Sequence, residues 1–263
     1  MTSFVQDRVV LIAGASGSIG SVTARALASR GASVVLAALP DRSLDALADE
    51  LRGQGARVLA VPTDITQRAD IDRLVAATLA GFGRIDVLVN LAGIGASPSF
   101  CDCSADKISD VIEVNLVGPA LLMHAVLPTM KAQRSGAIVN VGSIAGEVAI
   151  MGIYSASKFG LRGLSDSVRR EVRSFNISVS LIEPGLVRSS MNPAHGDNLP
   201  PPDIVADAIV SAIAHPRRAR IVPWTYQIGA FLVNVFPWLS DLVFGHPRVQ
   251  ERMNRDSRAT SSK

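Results

Sequence analysis

Cysteine is almost missing from this chain. The two that occur, Cys101 and Cys103, stand too close together to staple a fold, which points to a reducing compartment. A Cys-x-Cys pair without a nearby histidine gives no metal site either, and none is expected. Residues 1–6 carry neither the basic flank nor the apolar stretch of a secretion signal, so the expected location is the cytoplasm. Repeats and low-complexity runs are also lacking. Charge is sparse: charged residues make up 19% of the chain and the formal balance is +3. The base is gathered at one end, because residues 216–263 hold eight basic residues against Asp241, Glu251 and Asp256, a net of +5 that leaves the preceding 215 residues at −2. With no broad basic stripe interleaved with stacking aromatics, nucleic acid is not an expected partner.

What the chain does hold is apolar residues, 48% of 263, enough to fill one large α/β domain. The run Arg-Val-Val-Leu-Ile-Ala at 8–13 is short, β-branched and closed by glycine, as befits a strand buried on both faces of a parallel sheet. Gly14-Ala-Ser-Gly17-Ser-Ile-Gly20 follows and leads into a helical pattern with Ala24, Leu27 and Ala28 on one face. Glycines at a strand-to-helix junction let the backbone turn tightly and approach a pyrophosphate, whose charge the helix N-terminal amides meet. Further strands are expected at 33–38, 57–61, 86–90, 137–141 and 220–222, and helices at 44–52, 71–82, 104–134, 154–175 and 203–214. That alternation implies a Rossmann-like, doubly wound parallel sheet, three layers α/β/α in a single domain.

Several polar residues sit where such a sheet binds ligands. At the end of the second strand an acid favours the 2′-hydroxyl of NAD and a base the 2′-phosphate of NADP. Ala38 and Leu39 supply neither, Asp41 and Arg42 come slightly later, and Ser16 lies in the glycine loop, so the sequence leans to NADP and leaves NAD open. Asp64 reads as an adenine contact, as the N-cap of a helix starting near Gln67, or as both. Asn115, a mediocre helix former in mid-helix, invites a hydrogen-bonding role, although exposure would also account for it. His124 and His195 read as solvated rather than catalytic, and Met191 and Leu199 as candidates to line a lid over substrate. Ser143 follows the strand 137–141, and eleven positions later comes Tyr154.

Tyr154 and Lys158, four apart on a helix, share one face. A free phenol titrates near 10 and carries protons poorly at neutral pH unless a cation stabilises its anion. Lys158 can supply that charge, and lowering the phenol by roughly three units takes about 4 kcal/mol, within reach of a close ammonium and a positively charged cofactor.

Taken together, Gly14-Ala-Ser-Gly-Ser-Ile-Gly20, Asp64, Asn90-Leu-Ala-Gly93, Asn115, Ser143, Tyr154-Ser-Ala-Ser-Lys158 and Pro184-Gly-Leu-Val187 resemble the short-chain dehydrogenase/reductase family over nearly all of residues 5–223. The resemblance implies an NAD(P)-dependent oxidoreductase that interconverts a secondary alcohol and a ketone. Tyr154 would be its general acid/base. Lys158 would hold the nicotinamide ribose and depress the tyrosine, Ser143 would polarise the substrate carbonyl, and Asn115 would anchor a water-mediated proton relay. Cofactor contacts are implied at Gly14, Ser16, Ser18, Ile19 and Gly20, at Asp64, Ile65, Asn90, Ala92 and Gly93, and at Pro184, Gly185, Val187 and Ser189, besides Tyr154 and Lys158. A homodimer or homotetramer is implied as well. The chain departs from the family pattern in four places: glycine at 17 instead of 18, Leu91 for a second asparagine, an interval from Ser143 to Tyr154 about two residues shorter than usual, and no base at Leu39. The glycine spacing raises a sugar-nucleotide epimerase or dehydratase as an alternative, and a dinucleotide-binding sensor or scaffold without turnover is another. The complete set Asn115, Ser143, Tyr154 and Lys158 speaks for an enzyme.

Residues 1–223 thus form the expected catalytic domain, 224–247 an apolar segment and 248–263 a basic tail. No charge occurs between Ile221 and Ser240, and prolines at 223 and 237 leave 224–236 as the helix candidate. Thirteen residues fall short of the roughly twenty needed to span a bilayer. The segment reads either as a wall over the substrate mouth or a subunit interface, which is the favoured reading, or as a peripheral membrane contact through Trp224, Tyr226 and Trp238. As a hydrophobic cover the segment points to an apolar substrate.

Overall fold

The computed structural model describes residues 4–96, 99–189, 191, 199–246 and 249. Its centre is a seven-stranded sheet, parallel throughout, in the order β3-β2-β1-β4-β5-β6-β7. The strands are β1 Val9–Ala13, β2 Ser33–Ala38, β3 Val58–Pro62, β4 Val87–Asn90, β5 Gly136–Val141, β6 Ile177–Pro184 and β7 Ala219–Val222. Strand β1 shows why the sheet is parallel and central. Its five residues are all buried, Val10 and Ile12 in one apolar cluster and Val9, Leu11 and Ala13 in the other. Helices must therefore cover both faces.

They do so in two layers. Helices α1 (Ser18–Ala28), α2 (Arg42–Gly53) and α7 (Asp203–Ala214) pack Leu27, Leu44, Leu51 and Ile209 on one face. Helices α3 (Arg68–Phe82), α5 (Gly118–Gln133) and α6 (Gly152–Val172) pack Ile71, Leu74, Leu122, Met123 and Val172 on the other. Each fully buried side chain of this size stabilises by about 1.5–3 kcal/mol. The result is the expected three-layer, doubly wound single domain. Among the described residues, 105–133 is the one helical run long and apolar enough to cross a membrane, and its Leu122, Met123, Val126 and Met130 are spent on the sheet.

Three elements differ from the sequence reading. The expected single helix at 104–134 is α4 (Ala105–Ile112) and α5 joined through a π-helical turn, Glu113–Val117, with Asn115 at its middle. Strand β6 was not anticipated, because Ser178, Ser180 and Glu183 interrupt its apolar pattern; Ser180 and Glu183 are nevertheless buried. The apolar segment holds two helices, α8 (Thr225–Val235) and α9 (Pro237–Phe244), where one was expected. Proline at the first position of α9 suits a helix start, which is how the run continues past Pro237.

Candidate active site

Strand β1 pairs with β2 on one side and β4 on the other, and the chain leaves toward opposite faces there. A crevice opens at the carboxyl ends of such strands. Gly14 lines it at φ +85°, and a Cβ there would lie 2.6 Å from the Ala92 nitrogen. A Cβ on Gly20 would meet the Gly14 carbonyl at 2.1 Å. Both glycines are thus dictated by the protein's own packing. Gly17 is not, since its Cβ would find nothing nearer than 3.5 Å. It is the exposed N-cap of α1, which carries no side-chain cap and no acid in its first turn. An open helix N-terminus beside two obligatory glycines fits the pyrophosphate of a dinucleotide, with Ser18, Ile19 and Gly20 in the first turn.

At the adenosine end, Asp41 caps α2 by accepting from the Leu44 amide at 2.9 Å and the Ser43 hydroxyl at 2.6 Å. Those bonds, with a further one from Ser16, hold its carboxyl below the usual range. Leu39 is exposed beside it. Asp64 is not the N-cap of α3, which begins at Arg68 after Gln67. Instead Asp64 Oδ1 accepts from Thr66 N at 2.9 Å and Thr66 Oγ1 at 2.7 Å, an Asx turn one step upstream. The Ile65 side chain turns into the core against Gly118. Asn90 is buried, its Nδ2 donating to Asn140 Oδ1 at 2.8 Å, and Asn140 donates on to Ser165 Oγ at 2.8 Å. This polar line through the sheet, which Asn140 completes, had no signal in the sequence beyond an asparagine in a strand.

Four groups converge beyond Gly93. Asn115 is fully buried, and the π-helical turn directs it at the backbone of Ile94. Ile94 N donates to Asn115 Oδ1 at 2.8 Å, and Asn115 Nδ2 donates back to the Ile94 carbonyl at 3.0 Å and to Ser157 Oγ at 3.2 Å. Ser157 donates in turn to the Tyr154 carbonyl at 2.7 Å. Ser157 is thus the positioning link that sequence reasoning passed over, although it lies inside the Tyr-x-x-x-Lys span. A Cβ on Gly93 would stand 3.2 Å from Asn115 Oδ1 and 3.5 Å from Lys158 Nζ, so this glycine keeps both within reach of a ligand. Lys158 is buried and donates to the Val141 carbonyl at 3.2 Å, with Nζ 5.7 Å from the Tyr154 ring centre.

Burial pushes the Tyr154 phenol above its ordinary value, and a hydrogen bond with the Ser143 side chain pulls it only partway back. Burial also lowers Lys158 to about 8. An ammonium beyond the ring, already engaged by a carbonyl, does not offset the loss of water around the hydroxyl. Ser143 reaches Tyr154 from the end of β5, while its Oγ accepts from the Ala145 amide at 3.1 Å.

The short interval from Ser143 to Tyr154 is packed tightly. It begins with a 3₁₀ turn, Ile144–Gly146, and a Cβ on Gly146 would come within 3.0 Å of the Lys158 backbone. Arg162 fastens the same interval, donating to Glu147 and, at 2.8 Å, to Glu183 on β6. Burial lifts Glu183 to about 7 against the pull of Arg162, with Glu147 adding to the rise. Pro184 at the end of β6 and Val187 beyond it are buried, and Val187 joins the core. Gly185 lies beneath the Tyr226 ring, and Ser189 is half-buried on the same rim. Met191 Cε would stand 3.9 Å from a Gly93 Cβ, over the four converging groups, and Leu199 is half-buried. His124 is exposed, and His195 lies outside the described residues.

Comparison with known proteins adds the following. The short chain dehydrogenase family model matches residues 8–199. An uncharacterized oxidoreductase of Bacillus subtilis, YxnA, is 33% identical over 253 residues, 90% of this chain and 71% of that one. Another, SH0585 of Staphylococcus haemolyticus, is 33% identical over 82% of this chain and 95% of its own. Among solved structures, a short chain dehydrogenase/reductase from Burkholderia phymatum in complex with NAD superposes with a TM-score of 0.84 at 27% identity, covering 91% of this chain and 97% of that one. A variant of actinorhodin polyketide ketoreductase with NADPH gives a TM-score of 0.76 at 27% identity over 84% and 97%.

Proposed function

This chain belongs to the short-chain dehydrogenase family of oxidoreductases, and from that footing we propose that it interconverts a secondary alcohol and a ketone with NADP or NAD. The observation that carries the reading is the meeting of Tyr154 and Ser143 at the carboxyl edge of the sheet, with buried Lys158 on the same helix face and Asn115 clamping the loop beneath. The cofactor, when bound, supplies or accepts the hydride.

The chain's own residues do the rest. The open N-terminus of α1 with Gly14 and Gly20 would hold the pyrophosphate, and Gly93, whose missing Cβ leaves space beside Asn115 and Lys158, would admit the nicotinamide end. Ser143 and Tyr154 hydroxyls orient the substrate oxygen from one side, and Tyr154 gives it a proton as negative charge develops there, or takes one in the reverse direction. Lys158 lowers the energy of the resulting phenolate. In the pocket as folded the phenol is held high by burial, and the positive charge of an oxidised cofactor, when bound, would add to that of Lys158 in favouring the phenolate. The line from Asn115 through Ser157 to the Tyr154 carbonyl fixes the start of α6.

Cofactor preference leans to NADP, since neither Ala38 nor Leu39 offers an acid to a 2′-hydroxyl and Asp41 is engaged in capping α2. A small apolar ketone or alcohol, a cytoplasmic setting and a homo-oligomer complete the reading. The test is a panel of apolar ketones and secondary alcohols assayed with NADPH and NADH side by side. Turnover of a ketone with higher kcat/KM for NADPH supports the reading; no turnover of any carbonyl or alcohol with either cofactor, while both cofactors bind, would favour a sensor without catalysis.

A further inference from the structure

Helices α8 and α9 turn most of their large apolar side chains away from the protein. The inward side of α8 is small: the half-buried Tyr226 ring lies so close on Gly185 that a Cβ there would come within 2.5 Å, Ala230 is buried and Val233 half-buried, and at the edge the exposed Asn234 donates from Nδ2 to Glu147 at 3.3 Å. The opposite side presents Trp224, Ile228, Phe231, Leu232 and Val235 to the outside, and α9 adds Trp238, with Trp224 67% and Phe231 64% exposed. A helix of a water-soluble surface shows the reverse arrangement. An uncovered apolar face of this extent marks a contact with something else.

Three features say what that contact is. Neither helix can span a bilayer, since α8 has 11 residues and α9 has 8, but each can lie in the plane of its surface. Tryptophans stand at the start of α8 and in the first turn of α9, the residue type that settles at headgroup depth. Immediately after α9 the chain turns basic: residues 245–263 hold Arg248, Arg252, Arg255, Arg258 and Lys263 against Glu251 and Asp256, a net of +3. A second copy of the chain would cover the apolar face, but it carries the same positive net charge and offers the basic residues no counter-charge. An anionic lipid surface satisfies both the apolar face and the charge.

We propose that α8 and α9 rest on an anionic membrane surface, with Trp224, Phe231 and Trp238 in the headgroup layer, and that the net positive charge of the sequence after α9 favours anionic over neutral lipid. Because Tyr226 packs on Gly185, this face adjoins the rim of the candidate active site. The proposal does not depend on the reaction assigned above.

The test is flotation of the full chain with vesicles of phosphatidylcholine and phosphatidylglycerol at about 70:30 against vesicles of phosphatidylcholine alone, at about 0.1 M and about 0.5 M salt. The wild type floats with the anionic vesicles, at least about tenfold better than with neutral ones, and loses most of that advantage at high salt. Phe231→Asp with Trp238→Asp stays at the bottom of the gradient with an unchanged thermal midpoint. In a second variant, Arg252→Glu with Arg255→Glu and Arg258→Glu removes the preference for anionic lipid with an unchanged thermal midpoint. A wild type that does not float, or that floats equally well after either set of changes, overturns the proposal. If it does not float and light scattering shows Phe231→Asp turning an oligomer into a smaller species, the face belongs to a second copy.

Discussion

Lys158 is the residue at which function and stability pull in opposite directions. Folding removes its ammonium from water, and holding it at about 8 instead of 10.5 costs the folded state about 3 kcal/mol at neutral pH. The sign follows from proton counts. Between about pH 8 and 10.5 the folded chain has shed a proton that the unfolded chain still holds, so this contribution raises stability as pH climbs through that window. Urea unfolding of the cofactor-free protein is expected to show that rise, and Lys158→Met to flatten it. At pH 7 the same variant gains about 1–2 kcal/mol, since the Val141 carbonyl left without its donor takes back part of the benefit. Turnover is lost with it. A variant that is both less stable and still active contradicts this account of the lysine.

At the scale of the element, the π-helical turn between α4 and α5 is the clearest case of structure bent to a site. One extra residue in the turn lets Asn115 leave the helix and clamp both backbone groups of Ile94. Asn115→Ala leaves those half-buried groups without partners and is expected to cost about 1–3 kcal/mol in urea unfolding, with kcat/KM falling as the loop after β4 loosens. Asparagine in mid-helix was a readable clue that something hydrogen-bonds there, but an irregular turn leaves no periodic mark, so the sequence reads as one helix. Strands β1, β2 and β4 were legible because burial on both faces forces unbroken runs such as Val9 to Ala13. Strand β6 was hidden for the converse reason: Ser180 and Glu183 are buried through long-range partners, the Arg217 amide and Arg162, and no local rule foretells those. The glycine loop divides in the same way. Gly14 and Gly20 follow from packing that can be checked, whereas the shifted Gly17 is free of steric need, so an alanine there is expected to leave the thermal midpoint nearly unchanged and show itself only in cofactor affinity.

On the scale of the whole molecule, Arg162 is the point where four parts of the chain meet. From α6 it holds Glu147 on the catalytic interval and Glu183 on β6, and Glu147 in turn accepts from Asn234 on α8. Removing the cation leaves two largely buried carboxylates facing each other. Arg162→Met is expected to lower stability by about 3 kcal/mol at pH 8. At pH 5 the loss shrinks, because Glu183, already lifted to about 7, takes up a proton and the repulsion ends. A loss that is the same at both values contradicts the shared-cation arrangement. The parallel doubly wound sheet, its three layers and the ligand site at its carboxyl edge were implied by the alternation of strands and helices. The cluster at Arg162 and the outward apolar face of α8 were not, since each depends on which side of a helix meets the protein.

The account turns on Tyr154 as the group that moves the proton, and one comparison reaches it directly: ketone-dependent consumption of NADPH by the wild type and by Tyr154→Phe, with cofactor affinity measured on the same samples. Removing the hydroxyl takes away the proton and little contact area, so the variant is expected to bind NADPH within about twofold of the wild type and to lose at least about a thousandfold in kcat. Tyr154→Phe that turns over the ketone at a rate near the wild type's would contradict the assignment.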